Sequence, residues 1–198
     1  MLPAICGQGV SEVPCGDCTA CCTSSQFVHI APDENETLSH VPPELRFPAP
    51  RMPRGHVVLG YDQSGHCPLL GGAGCSIYAH RPRTCRTYDC RVFVATGLEI
   101  TEESQVSIAR RAKRWRFSFP EELDRVRHEA VRAAAAFLKE HQGLLPEDLA
   151  PRTVTQVAVL AVGIHDLFLD RDAETTRLRP VAPTAQAVRS EVIRRRRP

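Results

Sequence analysis

Cysteines carry the most specific chemical signal in this chain of 198 residues. All nine lie between Cys6 and Cys90, and eight of them form two groups of four. The groups are Cys15, Cys18, Cys21 and Cys22, followed by Cys67, Cys75, Cys85 and Cys90. Because thiolates are soft ligands that select zinc, copper(I) or iron–sulfur clusters, these residues predict a metal centre. Cys6 lies outside the pattern, and we interpret it as an incidental thiol.

The spacing favours one metal centre over another without excluding either. Structural zinc sites usually take C-x2-C pairs from both halves of the site, and only the first group contains such pairs. A 4Fe–4S cluster commonly takes three ligands from C-x2-C-x2-C and a distant fourth before proline, which Cys67-Pro68 matches. The pattern therefore favours 4Fe–4S, with zinc as the alternative. Adjacent Cys21 and Cys22 either serve two centres or leave one thiol to hydrogen-bond to the cluster.

Charged and aromatic residues surround the second group. They are Arg81, Arg86, Tyr78 and Tyr88. The two arginines are predicted to offset the charge of the thiolates near Cys85, or else to pair with Asp17 or Asp89. The two tyrosines are predicted to bury a ring against the site and to hydrogen-bond through their hydroxyls. Histidines are a less favoured source of ligands, and the candidates are His29, His56, His66 and His80.

The elements that must position these cysteines are expected to be short. Residues 1–95 are rich in glycine and proline, which interrupt regular structure, so they predict an irregular lobe stapled by metal. Within it we expect strands at Gln26–Ile30 and His56–Tyr61 and a helical turn at Glu34–His40. Five prolines predict an extended loop over residues 41–55.

Helical periodicity begins after residue 100. Three helices are predicted, from Thr101 to about Arg116, from about Ser118 to Gln142, and from Thr153 to Leu169. They would form the helical part of the same domain, residues 96–170. Residues 171–198 have no apolar periodicity and predict a flexible Arg-rich tail. The fold class is therefore expected to be α+β and α-rich, with the cysteine lobe packed on about three helices.

Three segments of the chain resemble a known family. CGDCTACC, CPLL and CSIYAHRPRTCRTYDC are similar to the YkgJ-type cysteine-cluster family, a zinc- or iron-chelating CxxCxxCC domain. The resemblance covers about residues 15–93 and implies that the eight cysteines of the two groups are the chelating set. A related cysteine-rich module occurs in flagellin lysine methylases, with an iron–sulfur centre. The resemblance implies no substrate and does not extend to the predicted helices.

Cellular location is inferred from the cysteines and from the first residues. Disulfide frameworks belong to small secreted chains, whereas this chain has an odd cysteine count and lacks the basic and apolar regions of a secretory signal. We therefore expect reduced thiols and a cytoplasmic protein. No apolar run approaches the roughly 18–20 residues of a membrane helix, so no membrane partner is expected.

Basic residues are a weaker signal. In RRAKRWRF, candidate phosphate contacts are Arg110, Arg111 and Arg114, which would share one helix face. A solvated helix face explains the same residues. Since the formal net charge is only +2, nucleic acid is not an expected partner.

Three functions remain open on the sequence. The first is a metal-binding module that supports another enzyme or a protein modification, with a partner protein. The second is a redox or modifying enzyme that uses the cluster, and the third is a zinc-stapled nucleic-acid-binding protein. The sequence contains no G-x-S-x-G, HExxH, P-loop or Rossmann motif, so catalytic residues are unknown and no independent activity is expected.

Overall fold

The computed structural model describes residues 16–172 and 177–196. Contacts divide these residues into two units. The cysteine unit comprises residues 16–89 and 100–111, and the helical unit comprises residues 90–99, 112–172 and 177–196. In the part of the chain that is described, no helix is long and apolar enough to cross a membrane.

A three-stranded antiparallel sheet underlies the cysteine unit. Its strands are β1 (Val28–Ile30), β2 (Arg46–Pro48) and β3 (Val57–Leu59), in the order β1-β3-β2. The predicted strands at residues 26–30 and 56–61 are thus confirmed. The predicted loop over residues 41–55 is wrong in part, because it contains β2 and the 3-10 helix Pro43–Leu45. Pro48 is compatible with a strand because β2 lies at the edge of the sheet.

Two short helices complete the frame of the cysteine unit. They are α1 (Asn35–His40) and α2 (Arg83–Thr87). The buried Glu34 carboxylate accepts hydrogen bonds from the backbone N–H groups of Ala31, at 2.9 Å, and Arg83, at 2.5 Å. Thr84 Oγ1 also donates to the carbonyl of His29, at 2.8 Å, so α2 is held against β1.

One apolar cluster of the cysteine unit contains five buried residues, which are Ile30, Val41, Leu59, Leu69 and Ile77. Cys67 and Cys75 pack against this core, so two of the predicted ligands lie at its edge.

The helical unit has a larger core. Its helices are α3 (Arg91–Thr96), α5 (Glu122–Glu140), α6 (Val154–Ile164) and α7 (Ala185–Arg196), while α4 (Val106–Ala112) lies mostly in the cysteine unit. The core consists of Ala130, Ala134, Ala135, Leu138, Leu145, Ala161, Ile164, Phe168, Val188 and Val192. Together with the small sheets, these helices confirm the α-rich α+β class.

The first predicted helix is shorter than expected. A 3-10 helix at Glu103–Gln105 precedes α4, which ends at Ala112 rather than near Arg116. The chain turns there because the Trp115 backbone N–H bonds to the Ala112 carbonyl, at 3.0 Å. Beyond this turn, the Phe119 ring stacks on His128 of α5, with ring centroids 5.0 Å apart.

The third predicted helix also ends early. Thr153 caps α6 by accepting the backbone N–H of Gln156, at 3.2 Å. The helix stops at Ile164, a 3-10 helix spans His165–Phe168, and Leu169 begins a strand. The prediction was right about the start of this element and five residues late at its end.

The described residues of the predicted flexible Arg-rich tail, 171–172 and 177–196, instead form packed structure. Strand β6 (Leu169–Arg171) pairs with β7 (Leu178–Pro180), and α7 follows. Val188 and Val192 of α7 are 0% and 1% exposed and belong to the helical core. Two valines four residues apart give a stripe too narrow to stand out among the surrounding arginines. Arg197, the last arginine of the predicted tail, lies outside the described residues.

Candidate metal centre

Six cysteines line one cavity of about 580 Å³ in the cysteine unit. They are Cys18, Cys21, Cys22, Cys67, Cys75 and Cys85. No disulfide joins any two of the described cysteines. Members of both predicted groups therefore meet at one site, whereas Cys15 and Cys6 lie outside the described residues.

Backbone hydrogen bonds place the two cysteine groups side by side. The Cys67 N–H donates to the carbonyl of Cys22, at 2.7 Å, and the Ser25 N–H donates to the carbonyl of Gly65, at 2.8 Å. Gly65 has φ +77°, and a Cβ there would lie 2.4 Å from Ser25 Oγ. Only glycine fits this approach, which sets Cys22 beside Cys67.

A two-residue hairpin positions the next pair. Strands β4 (Leu70–Gly71) and β5 (Gly74–Cys75) pair so that Cys75 lies opposite Leu70. The Leu70 N–H in turn donates to the carbonyl of Cys67, at 2.9 Å. Cys67 and Cys75 are thereby joined through the residues at the base of the hairpin, although seven residues separate them in sequence.

Cys85 lies on α2 and has the most perturbed thiol. Burial first, and then the negative charges of Cys22, Cys67 and Cys75, raise its pKa to about 12, while Arg81 opposes them. Burial likewise raises the pKa of Cys67. Cys67 and Cys85 therefore favour the protonated thiol, and a cation that binds them must displace their protons.

The predicted arginine and tyrosine neighbours have different positions. Arg81 is 8% exposed, and its guanidinium carbon lies 3.8 Å from the centroid of the Tyr78 ring. Both residues line the cavity, as does Tyr88, whereas Arg86 is not among the lining residues. The proximity of Arg81 to Cys85 agrees with the counter-charge interpretation, and the roles of the other residues stay predictions.

Cys90 belongs to the helical unit. It precedes α3 and is not among the residues that line the cavity. The indole Nε1–H of Trp115 donates to Cys90 Sγ, at 3.4 Å, and the Arg91 guanidinium carbon lies 5.6 Å from the Trp115 ring centroid. The sequence carried no local signal for this contact, because 25 residues separate the two partners.

The chemistry of the cavity fits a soft metal. Its donor atoms are sulfurs, and their number exceeds the four ligands of one tetrahedral ion or one cubane. The cavity also falls in the ~300–1,000 Å³ range of ligand pockets, far above the ~30 Å³ share of a water molecule. Among the described residues, no three Cys, His, Asp or Glu side chains already stand where they could hold a single ion.

Other predicted contacts are not part of this site. None of the candidate histidines lines the cavity. Arg114 lies beyond the end of α4, so the single helix face predicted for Arg110, Arg111 and Arg114 does not form. The phosphate contacts stay a prediction without this geometric support.

Comparison with known proteins bears on the same segment. Residues 14–111 match the family model CxxCxxCC, whose description is "Putative zinc- or iron-chelating domain". No curated protein and no solved structure matches the chain significantly. The match contains all eight cysteines of the two groups and confirms the resemblance found in the sequence. The similarity to the CxxCxxCC family thus covers residues 14–111, just under half of the chain.

Proposed function

We propose that this protein binds a 4Fe–4S cluster through the cysteines of the cavity and supports another enzyme or a protein modification. The observation that carries the proposal is that six thiols of both groups line one cavity. When bound, such a cluster supplies one-electron chemistry or a structural crosslink. The thiols would hold it, and buried Arg81 would offset part of the negative charge of the thiolates.

Two features support a cluster over zinc. The C-x2-C-x2-C spacing and Cys67-Pro68 are typical of 4Fe–4S ligands. The cavity also offers more thiols and more space than one tetrahedral zinc ion requires. Zinc remains the alternative, since the family includes both metals in its description.

The contacts favour one division of the cysteines into ligand sets. Cys22, Cys67, Cys75 and Cys85 are joined by backbone hydrogen bonds or by mutual electrostatic effects. We therefore take these four as the alternative to the set of Cys15, Cys18, Cys21 and Cys67 that the spacing predicts. The remaining cysteines of the first group would serve a second centre or hydrogen-bond to the first.

The deciding experiment is anaerobic purification followed by an absorption spectrum and analysis of iron, zinc and sulfide. A brown protein with broad absorption near ~400 nm and about four irons per cluster is expected. A colourless protein with one or two zinc ions would show that the bound metal is zinc rather than an iron–sulfur cluster. A protein that contains neither metal would contradict the proposal.

Serine variants test the ligands. Cys85→Ser should lose the metal centre and destabilise the fold, and Cys18→Ser tests the first group in the same way. Cys6→Ser is the control, because Cys6 lies outside the motif. Full metal content in both the Cys18 and the Cys85 variants would reject the cavity as the binding site.

A redox or modifying enzyme is the second candidate. It is favoured by the size of the cavity and by its aromatic edge, where Phe27 is 64% exposed and Tyr78 is 47% exposed. Reversible reduction of the cluster in the isolated protein would support this function. A cluster that cannot be reduced without loss of iron would favour a structural role.

A further inference from the structure

The aromatic segment 115–119 of the helical unit has neither helix nor strand. Residues 115 and 117 are half-buried, while residues 116 and 118 are exposed, so alternate side chains face the protein. At one end, the indole Nε1–H of Trp115 donates to Cys90 Sγ, at 3.4 Å. At the other end, the rings of Phe117 and Phe119 lie against His128 of α5. One imidazole is thus a contact shared by two rings of the segment.

The imidazole of His128 is enclosed by those two rings. The Phe119 ring is stacked on it, with ring planes 27° apart, and the Phe117 ring meets it edge to face, with centroids 5.6 Å apart. His128 Nε2 is inaccessible to solvent and has no hydrogen-bond partner among the described residues. A neutral imidazole with its proton on Nδ1 tolerates this, because Nε2 then has no hydrogen to donate. A protonated imidazole does not, because both nitrogens then carry an N–H.

The surroundings of His128 oppose its protonation. Burial lowers the pKa of His128, and the charge of Arg132 lowers it further. Hydrogen bonding to the carbonyls of Ala95 and Val94 and the charge of Glu129 offset this only in part. Because the folded protein favours the neutral ring, this contribution to stability is complete above the ordinary pKa near 6.5 and declines as the pH falls below it.

Charged groups on the other neighbouring elements have contacts of their own. Arg91, on α3, has its guanidinium carbon 5.6 Å from the centroid of the Trp115 ring. Arg116, in the segment, donates to two nearby backbone carbonyls, at 2.7 and 2.9 Å. Helix α6, which packs on both α3 and α5, contains no charged residue. The charges that act on the imidazole are therefore those of Arg132 and Glu129, both on α5.

We propose that His128 is a pH-sensitive switch, whose protonation releases segment 115–119 from α5 and breaks the hydrogen bond from Trp115 to Cys90. The protonated ring must donate from Nε2, and aromatic rings accept such a bond only weakly. The N–H gains a full partner when Phe117 and Phe119 move aside and admit water. Because Cys90 is one of the eight cysteines of the two groups, acid would change the environment of a predicted ligand. The inference does not depend on which metal the cavity binds.

Trp115 is the only tryptophan of the chain, so its fluorescence reports the release directly. In the protein as purified, quenching of this fluorescence by acrylamide should increase at least about twofold as the pH falls from about 7.5 to about 5. No increase over this range would overturn the proposal.

Variants separate His128 from other effects of acid. His128→Phe keeps an aromatic ring that cannot be protonated, so it should abolish the increase, and His128→Gln should do the same. His141→Phe is the matched control, because His141 also stacks on a phenylalanine, with centroids 4.1 Å apart, and it should retain the full increase. Loss of metal in acid would affect the parent and the variants alike. An equal increase in the parent and in both His128 variants would assign the change to another group and overturn the proposal.

Hydrogen exchange distinguishes local release from unfolding. After correction for the intrinsic effect of pH on exchange, the amides of α5 should stay protected at about pH 5 while the fluorescence of Trp115 changes. Loss of protection throughout α5 over the same pH range would show that acid unfolds the helical unit, which would contradict a local switch.

Discussion

The thiol of Cys85 shows how position alters the chemistry of a single residue. An ordinary cysteine is partly ionised at pH 8, but burial and three neighbouring sulfurs raise the pKa of Cys85 to about 12 in the metal-free protein. Because the folded protein favours the protonated thiol, this group stabilises the metal-free fold below about pH 9. That contribution is lost as the pH rises from about 9 toward 12.

Alkylation of the metal-free protein should reveal this protection. At pH 8, Cys85 should react with iodoacetamide at least about 100-fold more slowly in the folded chain than in denaturant, because the thiolate is the nucleophile. Peptide mass spectrometry after timed labelling measures both rates. Equal rates in the two conditions would show that the thiol is neither buried nor surrounded by other sulfurs.

Among the elements, α7 has a role that its composition conceals. Val188 and Val192 are buried in the helical core, while Arg195 bonds to the Asp166 carboxylate, at 2.6 Å, and to the Gly163 carbonyl. The arginine thus reaches the carboxyl end of α6, where cations interact favourably with the helix dipole. Two buried valines and the ion pair between Arg195 and Asp166 thus attach α7 to the helical core.

Truncation of the buried valines should destabilise the protein. Val188→Ala and Val192→Ala should each lower the free energy of unfolding by about 2 kcal/mol, because each removes buried methyl groups and leaves a cavity. Arg189→Ala is the control on the same helix, since Arg189 is exposed. Chemical denaturation measures the free energy of unfolding of the three variants. Values for both valine variants within about 0.5 kcal/mol of the parent protein would place α7 outside the core.

Acid should destabilise α7. Hydrogen bonds from Arg194 and then Arg195 lower the pKa of Glu191 to about 2. A depressed carboxyl pKa stabilises the fold above the ordinary value near 4.5, and this contribution is lost as the pH falls from about 4.5 toward 2. Carboxyl carbon NMR should therefore show Glu191 titrating near pH 2, with Glu191→Gln removing the signal. Titration near pH 4.5 would show that neither arginine lowers the pKa of Glu191.

At the scale of the whole molecule, the described residues form apolar clusters of unequal size. One cluster in the helical unit contains ten buried residues, and the cluster against which Cys67 and Cys75 pack contains five. A unit with little apolar burial needs another source of stability, which a metal centre would supply.

Metal removal should therefore affect the units differently. After chelation under reducing conditions, hydrogen exchange should lose protection at β1 and β3, while α5 and α6 stay protected. Protein treated with metal-saturated chelator is the control. Loss of protection in both units together would show that the helical core does not fold without the metal.

The predictability of each element followed the strength of its apolar pattern. Helix α5 carries apolar residues at steps of three and four over 19 residues, and it was predicted closely. Helix α7 has only Val188 and Val192 to mark its buried face, so it was missed. The end of α4 was also missed, and it is marked by a turn in which the Trp115 N–H bonds to the Ala112 carbonyl.

The sequence by itself determined the donor chemistry of this protein, because the types and spacing of its cysteines specify soft-metal ligands within a segment that matches the CxxCxxCC family model. Only the tertiary structure decided which thiols meet. Cys22 and Cys67 are 45 residues apart, and the contact between them depends on a backbone hydrogen bond and on the close approach at Gly65. Local spacing specifies what a side chain can bind, whereas burial and long-range hydrogen bonds specify which side chains bind together.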